Sequence, residues 1–237
     1  MRDCADLSPA ARPVTLGTMQ CDESLLARIR RNLAPFSVRS GGAEDAHHAA
    51  VAVTVTEIGL GADLPGFPAY PDWQTQAALI LTRRSSKLRK HPGQWAFPGG
   101  RLDPGETPTQ TALREMREEV AADLPARQVL GQLDDFVTRS GFVITPVVVW
   151  GGSALNLTPN PAEVASVHRI PLTEFLRDDA PLLEQVDSSE HPVLRMPVGD
   201  DSIAAPTAAI IYQFREVCLL GNSTRVAHYE QPPFAWR

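Results

Sequence analysis

Three glutamates in the segment ALREMREEV, Glu115, Glu118 and Glu119, stand at i, i+3 and i+4. In a helix these positions are neighbours, so the like charges repel. One arrangement that tolerates the crowding is a solvated acidic face relieved by Arg114 and Arg117. Another is a set of converging hard oxygen donors for Mg²⁺ or Mn²⁺. The charge of that cation offsets the repulsion, and its remaining positions take water and phosphate. Spacing alone does not separate the two.

The residues in front of the glutamates add a second task. Gly99 and Gly100 let backbone approach a ligand closely, and Gly105 permits a sharp turn that returns Glu106 toward the helix. Thr107 is placed to cap the helix, Pro108 takes its first position and Gln110 completes a capping box. On a helical wheel Leu113, Met116 and Val120 form one stripe, with the glutamates opposite. The pattern therefore predicts carboxylates that face away from the core.

Gly100, five residues, Glu106, seven residues and then Arg114-Glu115-Met116-Arg117-Glu118-Glu119 closely resemble the Nudix box, G-x5-E-x7-R-E-U-x-E-E-x-G-U with U aliphatic. Ala121 stands where that pattern has glycine, and Ala122 where it has a larger aliphatic residue. Both departures concern the end of the helix, not its charged groups. The resemblance implies an α/β-class, Nudix-type α/β/α sandwich with a mixed β-sheet, which cleaves a nucleoside diphosphate linked to another moiety. It also implies that Glu115, Glu118 and Glu119 hold Mg²⁺ or Mn²⁺, that Glu118 and Glu119 take part in catalysis, and that Arg114 and Glu106 orient the ligands through ion pairing. The carbonyl of Gly100 is a further donor on the same grounds.

Upstream, ILTRRSSKLRKHPGQWAFPGG at 80–100 resembles the signature of the coenzyme A diphosphatase branch, L-L-T-x-R-[SA]-x3-R-x3-G-x3-F-P-G-G, with Ile80 for leucine as the only difference. It implies Arg84, Arg89, Gly99 and Gly100 as substrate-binding residues. The residue types agree: Arg83, Arg84, Lys87, Arg89 and Lys90 concentrate positive charge in a chain of formal net charge −6. Such a run suits a substrate with a phosphate beyond the diphosphate, as coenzyme A has on its ribose, because arginine pairs with phosphate through two donors. A solvated loop between strands is the alternative. Farther on, Glu163 in NPAEVASVHRI occupies a place where such enzymes often present another carboxylate. Its role as base or ligand stands open against simple exposure.

Several elements must position these groups. ESLLARIRRNLAPF reads as an amphipathic helix with Leu25, Leu26, Ile29 and Leu33 inward and Pro35 as its stop. HAAVAVTVTEIGL and QTQAALILTRR read as strands, with a loop holding Phe67, Tyr70 and Trp73 between them. GQWAFPGG is a short extended segment, and VLGQLDDFV and FVITPVVVW are further strands. Glu174 to Glu190 reads as a short helix and a solvated loop, and TAAIIYQFREVCLLG as a helix closed by Gly221. The expected layout is a flexible leader over 1–20 and a single domain over 21–237, with the resemblance covering about 48–178. His228, Tyr229, Phe234 and Trp236 near the chain end are read as packing, with a nucleotide pocket or a subunit contact as alternatives.

The composition, 43% hydrophobic and 21% charged, is that of an ordinary globular protein. Its net negative charge counts against duplex nucleic acid as a partner. Three separated cysteines suggest neither a disulfide framework nor a zinc site. No apolar run approaches a membrane span, so a cytoplasmic protein with no membrane partner is expected. The function these readings predict is metal-dependent hydrolysis of coenzyme A or acyl-coenzyme A. A small nucleotide is the substrate, and homodimerisation is left open. The rivals are the same chemistry on ADP-ribose or a dinucleotide, and a Nudix module that senses nucleotide without cleaving it.

Overall fold

The computed structural model describes residues 19–42, 46–186 and 191–231. Most of the expected leader, and Phe234 and Trp236, lie outside these residues. The leader's end does not: Met19 accepts from the Ala77 N–H at 2.7 Å, and Gln20 bridges to Gln76.

Helix α1, Glu23–Leu33, starts where the Asp22 side chain accepts from the Ser24 and Leu25 amides, and it buries the four expected apolar residues. Helix α2 is Pro108–Val120. Helix α3, Thr207–Phe214, runs on through a π-helical turn to Leu220 and stops at Gly221, whose φ of 77° suits a residue without Cβ.

Eight strands form one mixed sheet: β1 (His47–Gly61), β2 (Ala69–Arg84), β3 (Trp95–Ala96), β4 (Gly99–Arg101), β5 (Val129–Gln132), β6 (Phe136–Val137), β7 (Phe142–Gly152) and β8 (Val164–Pro171). Central β1 runs antiparallel to β2, with Val55 opposite Leu79, and parallel to β7, with Val53 opposite Val148. Its nearly continuous apolar run reflects cover on both faces. Ala50 and Ala52 belong to one cluster with Ala112, Met116 and Val120 of α2, while Val53 and Val55 share another with Ile29 of α1 and Phe214 of α3. The result is the expected three-layer α/β/α sandwich. Among the described residues no helix is long and apolar enough to cross a membrane.

Three expectations about elements change. Tyr70 and Trp73 lie within β2, not in the loop before it. VLGQLDDFV splits into β5 and β6, because Asp134 and Asp135 leave the ladder to accept from the amides of Arg39 and Gly41 and from the Thr145 hydroxyl. Among the described residues, the segment from Glu174 onward holds the end of a 3₁₀ turn, Leu172–Leu176, and then β9 (Leu182–Glu184). Strand β9 opens an unexpected three-stranded antiparallel sheet with β10 (Val193–Val198) and β11 (Asp201–Ala204). Pro197 interrupts the apolar pattern of β10, so in the sequence this run did not read as a strand.

Candidate metal centre

Helix α2 begins as its residues require: Thr107 and Gln110 form a capping box and Pro108 opens the first turn. Before it, Gly105 at φ 85° turns the chain and brings Glu106 beneath Arg114. Arg114 grips Glu106 through Nε at 2.9 Å and Nη2 at 3.1 Å, then reaches Glu115 at 2.7 Å and Glu118 at 3.1 Å through Nη1. With Thr111 donating as well, the Glu106 carboxyl is held down to about 2. Arg114 is thus a hub that aims carboxylates.

The glutamates do not share the single exposed face that the wheel suggests. Glu115 and Glu119 are only 7% and 5% exposed, because they flank the apolar stripe under strand β4. The start of that strand needs glycine. A Cβ on Gly100 would collide with the Glu115 carboxylate, and one on Gly99 would strike the β1 backbone at Ala50. Glu118 remains largely exposed and paired with Arg114.

Glu163 completes the cluster. Carboxylate oxygens of Glu115, Glu119 and Glu163 lie within 4.8 Å of one another. The loop carrying Glu163 is fastened to the end of α2, where Asn160 N donates to the Glu119 carbonyl at 2.8 Å and Thr158 N to the Val120 carbonyl at 2.9 Å. At its other side Ser85 N donates to the Glu163 carbonyl at 2.8 Å. Asn160 and Ser85 were not singled out in the sequence. The Asn160-Pro161 pair is a turn signal, and the Asn160 side chain does accept from Ala162 N at 3.1 Å.

Burial, then the charges of Glu115 and Glu163, push the Glu119 carboxyl up to about 8, although Gly99 N–H donates to it and Arg84 lies near. Burial also raises Glu115, against the pull of Arg114. Crowded oxygen donors that resist ionisation are what a hard divalent cation relieves, so the donor set fits Mg²⁺ or Mn²⁺. Arg84 pairs with Val164 in the β2–β8 ladder, next to Glu163, and its Nε is buried with no hydrogen-bond partner among the described residues. A buried donor of that kind points to a ligand oxygen. Arg89 sits apart, on the exposed loop between β2 and β3. His228 is exposed and Tyr229 stacks edge-on against Tyr212, so neither joins the carboxylates.

A profile of the NUDIX domain matches residues 66–190. A protein named "Uncharacterized Nudix hydrolase NudL" from Yersinia enterocolitica is 41% identical over 134 residues, which cover 56% of this chain and 60% of that protein. The protein of the same name from Pectobacterium atrosepticum is 42% identical over 138 residues, or 57% of this chain and 72% of that one. Among solved structures, a MutT/nudix family protein from Enterococcus faecalis overlays with a TM-score of 0.49 at 16% identity, covering 75% of this chain and 64% of that one.

Proposed function

The chain belongs to the Nudix family, and from that premise we propose that it is a divalent-cation-dependent diphosphatase acting on coenzyme A or acyl-coenzyme A. Its products are 3′,5′-ADP and 4′-phosphopantetheine or the acylated form. The observation that carries the chemistry is the meeting of Glu115, Glu119 and Glu163 beside Gly99 and Gly100 of β4. The observation that carries the substrate is the signature at 80–100 together with the unpartnered Arg84 Nε beside that cluster.

In this reading Glu115 and Glu119 hold the cation and Glu163 flanks it. A bound Mg²⁺ or Mn²⁺ supplies Lewis acidity toward the diphosphate and lowers the pKa of a water. Glu163, the solvent-exposed member, accepts the proton from the attacking water. Glu118 is the outer carboxylate, called on only when Arg114 releases it. Arg114 and Glu106 are positioning residues. Arg84 takes a diphosphate oxygen and Arg89 the terminal phosphate, while Gly99 and Gly100 let the substrate approach the backbone. Residues 21–237 act as one catalytic unit in the cytoplasm.

The test is product analysis by mass spectrometry after incubation with coenzyme A, dephospho-coenzyme A, ADP-ribose and a dinucleotide, each with Mg²⁺ or Mn²⁺. Coenzyme A should be cleaved with the highest kcat/KM. Loss of the 3′-phosphate removes one charge-assisted contact of roughly 1.5 to 3 kcal/mol, about a tenfold to hundredfold drop. Equal efficiency on both compounds, or faster cleavage of ADP-ribose, leaves the Nudix chemistry standing but refutes coenzyme A as the ligand for which the basic loop is built.

A further inference from the structure

Arg83 belongs to the basic run that the sequence offers to phosphate, yet its side chain is engaged elsewhere. Its Nη2 donates to Asp201 Oδ2 at 2.6 Å and its Nη1 to the Gly93 carbonyl at 3.0 Å, and the guanidinium lies 3.9 Å above the Trp95 ring. Trp95 Nε1 donates to the same Asp201 oxygen at 3.3 Å. Gly93 and Trp95 stand where the chain returns from the basic loop. That neck is closed by Arg84 N donating to the Gln94 carbonyl and Gly93 N to the Arg84 carbonyl, each at 3.0 Å. One carboxylate thus holds both sides of the neck.

Asp201 comes from the small C-terminal sheet and is itself firmly placed. It pairs with Val198 across the two-residue turn Gly199-Asp200. The Gly199 N–H donates to Glu174 at 2.8 Å, and Arg177 donates to the Gly199 carbonyl at 3.3 Å. Gly199 has φ 56°, and a side chain there would press on the Pro65 carbonyl in the β1–β2 loop.

We propose that Asp201 is a positioning residue for substrate: through Arg83 and Trp95 it holds the neck of the basic loop and so fixes Arg84 and Arg89 relative to the three carboxylates. The small sheet thereby sets affinity for the phosphate-bearing end of the substrate. What the loop binds rests on the proposed function; the clamp does not. The Asp201 side chain is 57% exposed, so the ion pair adds little to global stability. Its removal should be felt as lost geometry.

The experiment compares the wild type with Asp201→Asn, which keeps an acceptor for Trp95 but removes the charge, with Asp201→Ala, and with Asp201→Glu as the conservative variant. Amide hydrogen exchange is followed over 84–94 without substrate, and kinetics are measured on whichever diphosphate the wild type cleaves. In Asp201→Asn and Asp201→Ala, exchange at Arg84, Gly93 and Gln94 should accelerate. KM should rise about five- to tenfold with kcat within about twofold, and Tm should move by no more than about 2 °C. Asp201→Glu should lie closer to the wild type. Unchanged exchange in this segment overturns the inference, as does a fall in kcat that merely tracks a fall in Tm. A wild type that leaves coenzyme A intact refutes the proposed substrate, while the exchange data still decide the role of Asp201.

Discussion

Glu119 and Glu118 are adjacent in sequence and carry the same group, yet one is buried under strand β4 and the other extends to solvent. A neutral amide is a poor ligand for a hard cation. Glu119→Gln should therefore lose about a hundredfold or more in kcat with its circular dichroism intact, whereas Glu118→Gln should stay within about tenfold of wild type. Equal losses from the two substitutions would remove the distinction. The residue types and spacing of this site were legible in the sequence, including Glu106, Arg114 and both glycines. Burial was not, because an apolar wheel counts every carboxylate as outward. Only the side-chain-free surface of Gly100 makes room for Glu115 on the inner side. Glu163 could be named in the sequence but not aimed, since its direction depends on backbone bonds from Asn160, Thr158 and Ser85.

At the scale of elements, Ala121 shows what the departure at the end of the helix costs. It caps α2 with φ 57° and ψ 27°, the left-handed region, and its N–H donates to the carbonyls of Arg117 and Met116. An L side chain is strained there, which is the physical reason for glycine at this place in the box. Ala121→Gly should stabilise the protein by about 0.5 to 1 kcal/mol, the relief of strain outweighing the added freedom of the unfolded chain. Urea unfolding at constant m-value measures it, and a destabilised variant contradicts the argument. The three helices were readable because each joins an apolar stripe to a definite cap or stop. The β9–β11 sheet was not, because its strands are short, Pro197 breaks the pattern and the strands are specified by one another and by contacts with Glu174, Arg177 and the β1–β2 loop.

For the whole molecule, the raised Glu119 carboxyl ties stability to pH and to the cation. Between its unfolded value near 4.5 and its folded value of about 8, the folded state keeps a proton that the unfolded chain releases. More protons bound when folded means that stability falls as pH rises through this window. Other groups narrow the interval in which this shows alone. His168 and His91 are lowered chiefly by burial, so below about pH 6.5 they act in the opposite sense. Glu106, held down to about 2, contributes a constant amount above pH 4.5. Cys21 and Cys218, both pushed up by burial, add in the same sense as Glu119 once the unfolded thiols begin to ionise toward pH 9. From pH 7 to 8.5, metal-free protein should therefore lose stability throughout, at close to 1 kcal/mol per pH unit near pH 7, where the Glu119 carboxyl dominates. Mg²⁺ must displace that proton to bind, so its affinity should tighten over the same interval and its stabilisation grow, toward about 2.7 kcal/mol at a hundredfold excess over Kd. Thermal unfolding with EDTA and with saturating Mg²⁺, at several pH values, checks both halves. A Tm in EDTA that is flat or rising across pH 7 to 8.5, or a Mg²⁺ effect that does not grow with pH, would show that the three carboxylates do not form the crowded site that the fold appoints for a cation.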